Sequence, residues 1–180
     1  MGGLQALNAL AIQKTTENMI KAITSFMIAS AFAVLLSGCG TSRYTVSGHE
    51  RIYDESADGT KQITRALASA QKNHKRVLVQ FGANWCEGCH QLHNLLKNDP
   101  AISQEVKNSF IWILIDLDQA HNAEVDEHYG NPSNQGYPAL MILEADGKQV
   151  LKTDTADLVV GDNINPEKTI AFLRQWAPKR

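Results

Sequence analysis

The stretch that decides the fold is VLVQFGANWCEGCH, residues 77–90 of the 180-residue chain. Its opening run of apolar residues, residues 77–81, is typical of a strand buried on both faces of a sheet. Cys86 and Cys89 follow, two residues apart, where the strand gives way to a predicted helix. The unpaired N–H groups and the dipole at the start of a helix favour the thiolate form of the first cysteine. The pattern therefore predicts a reactive cysteine with a second thiol one helical turn further along.

The same residues permit other interpretations. Cys86, Cys89 and His90 match C-x-x-C-H, the attachment motif of c-type haem. With His93 added, the spacing also offers soft ligands that zinc or copper would accept. In a simpler interpretation, His90 lies on the exposed face of the helix, His93 is half-exposed, and no metal is bound. A purely structural disulfide has little purpose here, because closing so short a loop stabilises little.

Composition limits the classes of partner. The formal net charge is −2, and 43% of the residues are hydrophobic. The hydrophobic share is ordinary for a globular protein. Because the charge is small, it gives no strong attraction to polyanions. We therefore expect no nucleic-acid partner.

The N-terminal region has the layout of a secretory signal. Lys14 and Lys21 precede an apolar run, AITSFMIASAFAVLL, which ends at the sequence LSGC, residues 36–39. The run is shorter than the roughly 20 apolar residues that span a bilayer, which argues against an uncleaved transmembrane helix. LSGC resembles the lipobox of bacterial lipoproteins, and this resemblance implies that Cys39 is lipidated after cleavage of the preceding peptide.

We therefore predict a signal peptide over residues 1–38 and a lipidated N-terminus with a polar tether over residues 39–56. A leader of 38 residues exceeds the usual length of about 15–30, so we expect translation to begin at Met19. The protein would then be lipid-anchored in a bacterial cell envelope, facing the periplasm or the extracellular side. Disulfides form and persist in such a compartment.

The rest of the chain alternates predicted strands and helices. The predicted elements are a helix capped by Asp58 or Thr60 and ending near Asn73, strand Arg76–Phe81, helix Cys86–Leu96, a short helix opened by Asp99-Pro100, strand Phe110–Leu117, helix His121–Tyr129, a loop over residues 130–136, strands Pro138–Leu143 and Gln149–Thr153, and a helix opened by Asn165-Pro166. The first two strands suit parallel pairing through a helical crossover, and the last two suit an antiparallel hairpin. The prediction is a single α/β domain over residues 57–180, with a mixed central sheet flanked by helices.

Two motifs together resemble the thioredoxin-fold family. They are FGANWCEGC, residues 81–89, and Tyr137-Pro138, with Pro138 lying 52 residues after Cys86. The resemblance covers roughly residues 57–177 and is greatest to the thioredoxin-like group of secreted or lipid-anchored bacterial proteins. It implies a cis peptide bond before Pro138, backbone hydrogen bonds from Tyr137 to an extended substrate, and a Trp85 ring that shields the thiols and lines the docking surface.

The resemblance also implies a thiol–disulfide oxidoreductase. Cys86 would be the nucleophile and Cys89 the resolving thiol, with their redox-active disulfide as the only redox group and no further cofactor. Its partners would be protein or small-molecule thiols and disulfides, together with an unidentified redox partner. A c-type haem or metal-binding envelope protein, and a thioredoxin-like binding module without catalysis, stay open as alternatives.

Two positions depart from the family pattern. Thioredoxins carry a buried aspartate in the strand before the cysteines, where this chain has Gln80, which does not titrate. Glu87 places a carboxylate beside the first sulfur and opposes the helix dipole, though an exposed carboxylate has only a modest effect. We hypothesise that Glu87 keeps the pKa of Cys86 relatively high and favours a reducing couple. Other acids and histidines, namely Asp116, Asp118, His121 and His128, are expected to be strand-end or helix-surface residues.

Overall fold

The computed structural model describes residues 50–153 and 155–179. The predicted signal peptide, the predicted start at Met19, Cys39 and most of the predicted tether lie outside the described residues. Within the described part of the chain, no helix has the length and apolarity that crossing a membrane requires.

Helices and strands alternate as the sequence predicts. Their bounds, in chain order, are α1 Gly59–Asn73, β1 Arg76–Gly82, α2 Glu87–Asn98, α3 Pro100–Ser109, β2 Phe110–Asp116, α4 Ala123–His128, β3 Ala139–Leu143, β4 Gln149–Thr153, β5 Val159–Val160, β6 Asn163–Ile164 and α5 Pro166–Trp176. The region predicted as a loop before β3 contains a short 3₁₀ turn, Pro132–Gln135. The two short strands β5 and β6, which pair with each other, were not predicted.

Four strands form the central sheet in the order β2-β1-β3-β4. Strand β1 pairs in parallel with β2, while β3 runs antiparallel to both β1 and β4. The predicted mixed sheet, with a parallel pair and an antiparallel hairpin, is therefore confirmed. The arrangement places the carboxyl ends of β1 and β2 at the same edge of the sheet, directly before the two cysteines.

Each face of the sheet packs against helices. On one face, Val79, Phe81 and Ile115 contact the buried side of α1. On the other face, Leu78 and Ile142 contact apolar side chains of α2, α3 and α5, namely Leu92, Leu96, Ile102, Val106 and Leu173. Because successive strand residues point to opposite faces, Gln80 and Gly82 share the face of Leu78 and α2. The sheet thus carries these two residues to the underside of the cysteine-bearing helix.

Side-chain caps fix where three of the helices begin. Asp58 accepts a hydrogen bond from the Lys61 amide at 2.9 Å and caps α1. Asp99 caps α3 and Asn165 caps α5 in the same way, and each precedes a proline in the first helical turn. Such caps typically contribute about 1 kcal/mol each. These helix starts are confirmed, with Asp58 rather than Thr60 as the cap of α1.

The packed domain begins before residue 57. Tyr53 is buried, with only 3% of its surface exposed, and it contacts Cys86 and Cys89. Residues 50–56 were predicted as the end of a polar tether. Their described part is instead laid against the cysteine-bearing end of the sheet.

Candidate active site

The two cysteines form a disulfide at the start of α2. Cys86 is the capping residue, and its Sγ accepts a hydrogen bond from the Cys89 amide at 3.2 Å. Cys86 is 6% exposed and Cys89 is fully buried, which confirms that the first sulfur is the more accessible of the two. A nucleophile at the helix start with a shielded partner can attack one disulfide sulfur and then be released by the second thiol.

Trp85, Tyr137 and Pro138 meet beside the disulfide. The Tyr137-Pro138 peptide bond is cis, which confirms that prediction. A Cβ atom built on Gly88, in the first turn of α2, would lie 3.1 Å from Pro138 Cδ, so this ring sits directly against the helix start. The Trp85 and Tyr137 rings are 5.9 Å apart and inclined at 51°.

The Trp85 ring is exposed and held in place. It is 60% exposed, an unusual degree for so large an apolar side chain, and its Nε1 donates to Asp118 Oδ1 at 2.9 Å. The hydrogen bond fixes the orientation of the ring beside the sulfurs. An exposed aromatic side chain held in one orientation is well suited to contacting another molecule.

Gln80 occupies the space under the second cysteine. It is fully buried, and its Nε2 donates to Tyr53 Oη at 2.9 Å and to the Cys89 carbonyl at 3.1 Å. Its Oε1 has no hydrogen-bond partner among the described residues. The position where thioredoxins carry an acid thus holds an amide that binds the helix but takes up no proton.

Asn84 fixes the N-terminal segment across the site. Its Oδ1 accepts hydrogen bonds from the Ile52 and Tyr53 amides, both at 2.9 Å. Its Nδ2 donates to the Tyr53 carbonyl at 3.0 Å and to Glu55 Oε1 at 2.8 Å. One side chain therefore holds Tyr53 over Cys89. Neither Asn84 nor Tyr53 was predicted to be a site residue. Tyr53 lies in a polar segment without periodicity, which gives no signal of burial.

His90 is buried, so the prediction that it lies on an exposed helix face is wrong. It is 5% exposed, and its Nε2 lies 2.8 Å from the Asn84 carbonyl oxygen, to which it donates. The helix turns this residue toward the loop before Trp85, which supplies the acceptor. Because Nε2 carries that proton, it has no lone pair for an iron atom, and the site does not fit haem ligation through this nitrogen.

His93 is half-buried, as predicted. Its ring lies 5.2 Å from that of Trp112, and burial lowers its pKa. Within the described ranges, no group of three or more histidine, cysteine or acidic side chains is arranged to hold a metal ion.

Asp116 is a strand-end residue, as predicted, but sequence reasoning did not predict that it is buried. It is 2% exposed at the end of β2, and its Oδ2 lies 3.2 Å from His121 Nδ1 and accepts from the Asp118 amide at 3.3 Å. Burial raises the pKa of the Asp116 carboxyl, and its Oδ1 has no partner among the described residues. The convergence of parallel strand ends could have revealed its place near the cysteines. Of the other residues expected at the surface, His128 is exposed, while Asp118 and His121 are half-buried.

Fold and disulfide together define a thioredoxin-like protein, and comparison with known proteins agrees. A family model described as thioredoxin-like matches residues 58–145. The crystal structure of a disulphide isomerase from Xylella fastidiosa Temecula1 is 31% identical, with a TM-score of 0.64. That alignment covers 70% of this chain and 96% of the isomerase chain. The chain described here belongs to the thioredoxin-like family.

Curated relatives point the same way. The thiol:disulfide interchange protein DsbD of Colwellia psychrerythraea is 27% identical over 97 residues, and that of Campylobacter jejuni is 25% identical over 142 residues. The alignments cover 52% and 73% of this chain, but only 15% and 24% of those longer proteins. The paired cysteines and these relatives support the chemistry of a thiol–disulfide oxidoreductase.

Proposed function

We propose that this protein is a cell-envelope thiol–disulfide oxidoreductase that reduces disulfides in its substrates. The observation that carries the proposal is the Cys86–Cys89 disulfide at the start of α2, with the more accessible sulfur beside an exposed tryptophan and a cis proline. The Xylella neighbour named as a disulphide isomerase and the DsbD relatives support the same chemistry.

The proposed cycle begins with both cysteines reduced. The Cys86 thiolate attacks one sulfur of a substrate disulfide, forms a mixed disulfide, and releases the other substrate sulfur as a thiolate. Cys89 then loses its proton and attacks Cys86 Sγ, which forms the Cys86–Cys89 bond and releases the second substrate thiolate. Two electrons pass from the protein to the substrate, and a separate redox partner must return them.

The proposed docking surface consists of Trp85, Tyr137 and Pro138. The backbone around the cis peptide offers hydrogen-bonding groups beside Cys86, and the tryptophan ring offers an exposed apolar face. An extended peptide laid against this surface would bring its disulfide to the accessible sulfur. Protein or small-molecule disulfides are therefore the proposed substrates.

The proposed direction of electron transfer is reduction of the substrate, and the position of Glu87 supports it. Its exposed carboxylate lies in the first turn of α2, next to the capping cysteine. A negative charge there opposes the stabilisation of the Cys86 thiolate by the helix dipole. A less stable thiolate makes the dithiol a stronger reductant, because a protein whose reduced form is stabilised by a very stable thiolate is a strong oxidant.

The proposed location is a bacterial envelope membrane, through a lipid on Cys39. It is supported by the sequence layout of residues 22–39 and by the relationship to DsbD proteins. Metabolic labelling with a fatty-acid analogue tests it: we expect label on the native protein and none on Cys39→Ser. Labelling that survives the substitution would refute the anchor.

Reduction of insulin disulfides tests the chemistry. We expect the wild-type protein, supplied with dithiothreitol, to accelerate insulin reduction, and Cys86→Ser to lose the acceleration. Cys89→Ser should instead accumulate a mixed disulfide with its substrate, because the resolving thiol is missing. Equilibration with glutathione gives the reduction potential and hence the direction. If the wild-type protein and Cys86→Ser were equally inactive, the domain would be a binding module.

A further inference from the structure

The resolving step needs a base that Gln80 does not supply. Cys89 must give up its proton before it attacks the mixed disulfide, because only the thiolate is nucleophilic. Gln80 contacts the Cys89 carbonyl and has no proton-accepting group in the relevant pH range. The acceptor must therefore come from another element that reaches the same side of the sheet.

Gly82 brings Cys89 and Tyr53 together. A Cβ atom built on Gly82 would lie 2.5 Å from Cys89 Sγ and 2.5 Å from Tyr53 Oη. Cys89 Sγ and Tyr53 Oη are therefore at most about 5 Å apart. They approach each other on the side of Gly82 where any other residue would carry its side chain. Gln80 donates to this oxygen, which leaves the hydroxyl proton of Tyr53 available to another acceptor.

Register places Asp116 on the same face. Gly82 is paired with Asp116 in the parallel ladder of β1 and β2. Leu114, two residues earlier on β2, packs in the cluster of Tyr53, Cys86 and Cys89, whereas Ile115 packs on the opposite face. Because side chains two apart on a strand share a face, the Asp116 carboxyl projects toward this cluster.

Asp116 also has two properties that a proton acceptor requires, an oxygen that can take up a proton and a route by which the proton can leave to solvent. Its Oδ1 has no hydrogen-bond partner among the described residues of the oxidised protein, Tyr53 included, and the proposed transfer requires the Tyr53 hydroxyl to reach this oxygen in the mixed disulfide. Its other oxygen contacts His121, which is half-exposed and lines with Asp116 a cavity of about 290 Å³ at the surface. Burial raises the pKa of Asp116, which brings it closer to that of a thiol, and burial also raises the pKa of Tyr53, which keeps its hydroxyl protonated.

We propose that Asp116, acting through the Tyr53 hydroxyl, accepts the proton of Cys89 during resolution of the mixed disulfide. The inference rests on the proposed function of the cysteine pair. The Cys89 thiol gives its proton to Tyr53 Oη as the Tyr53 hydroxyl gives its own to the Asp116 carboxylate. The Cys89 thiolate attacks Cys86 Sγ, the bond from Cys86 to the substrate sulfur breaks, and the substrate leaves as a thiolate. Asp116 then returns its proton to water through the His121 cavity.

Other titratable groups surround this path. Glu55, Asp118 and His121 line the cavity with Asp116, Tyr137 acts electrostatically on Tyr53, and His90 and His93 follow Cys89 on α2. His93 is the competing base, because it lies one helical turn after Cys89 on α2. The experiment must therefore separate Asp116 from His93.

Reaction of the reduced protein with Ellman's reagent separates the two thiol steps. Attack by Cys86 releases one coloured thiolate, and attack by Cys89 on the resulting mixed disulfide releases the second. We expect Asp116→Asn and Tyr53→Phe to leave the first phase unchanged and to slow the second about tenfold or more at neutral pH. The second phase of both variants should rise with pH along the ionisation of an unassisted thiol, whereas that of wild type should level off at lower pH.

The controls keep the test specific. Glu127→Gln removes an exposed carboxylate from α4 and should leave both phases unchanged. Asp116→Glu restores a carboxylate and should recover the second phase in part. Second phases at the wild-type rate in Asp116→Asn and Tyr53→Phe would overturn the inference, as would a slow second phase in His93→Gln but not in Asp116→Asn. A wild-type protein that released only one thiolate would instead refute the proposed function of the cysteine pair.

Discussion

Gly82→Ala tests the close approach of Cys89 and Tyr53 directly. The added methyl would lie 2.5 Å from Cys89 Sγ, 2.5 Å from Tyr53 Oη and 3.0 Å from Tyr53 Cζ. Ordinary carbon contacts lie at about 3.5–4.0 Å, so two neighbours must each move by roughly 1 Å. Neither moves freely, because Cys89 is in a disulfide on a packed helix and the buried Tyr53 is held by Gln80 and Asn84.

The expected cost follows from this overlap. Overpacking a buried site typically costs about 1–3 kcal/mol, while replacing a strand glycine by alanine returns about 0.5–1 kcal/mol. We expect the free energy of unfolding to fall by roughly 1–2 kcal/mol in urea titrations of the oxidised protein. Reduction frees the Cys89 sulfur to rotate away, so the reduced protein should lose less. Each 1.4 kcal/mol by which the oxidised protein is destabilised more than the reduced protein raises the reduction potential by about 30 mV.

A double-mutant cycle provides the control for Gly82→Ala. Tyr53→Phe alone removes the hydrogen bond from Gln80 and should destabilise the protein by about 1 kcal/mol. In the Gly82→Ala background the same change also removes the overlapping oxygen, so its cost should shrink or reverse. Additive effects of the two substitutions, or an unchanged urea midpoint for Gly82→Ala, would refute the described proximity.

Three further predictions concern charge and the N-terminal segment. Asn84→Ala removes four hydrogen bonds to residues 52–55, so the Ile52 and Tyr53 amides should exchange hydrogen at least about tenfold faster; unchanged protection would contradict the contacts. Glu87→Gln should lower the pKa of Cys86 and raise the reduction potential, measured against glutathione; an unchanged potential would leave Glu87 without that role. Burial raises the pKa of Asp116, so the folded protein holds this proton more tightly than the unfolded chain does. The stabilisation that results is fully present below the pKa of 3.8 in the unfolded chain and is lost as pH rises through the pKa in the folded protein. Asp116→Asn should therefore gain stability relative to wild type as pH rises above about 4, and a difference between the two proteins that did not vary with pH would contradict the burial of this charge.

The element pattern was predictable from local signals. Apolar runs marked β1 and β2, and the Asp99-Pro100 and Asn165-Pro166 pairs marked helix starts that side-chain caps confirm. The disulfide chemistry was predictable as well, because two cysteines at a strand–helix junction constrain each other whatever the tertiary context. These features depend on residues close together in the sequence.

The residues around the cysteines were less predictable. His90 was placed on the wrong side of α2 because its acceptor, the Asn84 carbonyl, becomes available only through the turn before the helix. Tyr53 carries no local signal, since its burial depends on Asn84, 31 residues later. Asp116 becomes a buried neighbour of the site only through the parallel register of β1 and β2. Contacts between distant segments decide these positions.

The placement of Tyr53 sets a lower limit on the size of the autonomous folding unit. A fragment starting at residue 57 would lack this ring and leave Cys89 and the Gln80 amide facing water. Burying a tyrosine removes about 150–250 Å² from solvent, equivalent to roughly 4–6 kcal/mol. The whole free energy of unfolding of a small domain is only about 5–15 kcal/mol, so the burial of this one ring is a large share of it. The short stretch before α1 is thus an integral part of the domain, and shortening it would alter the redox pair before it altered the sheet.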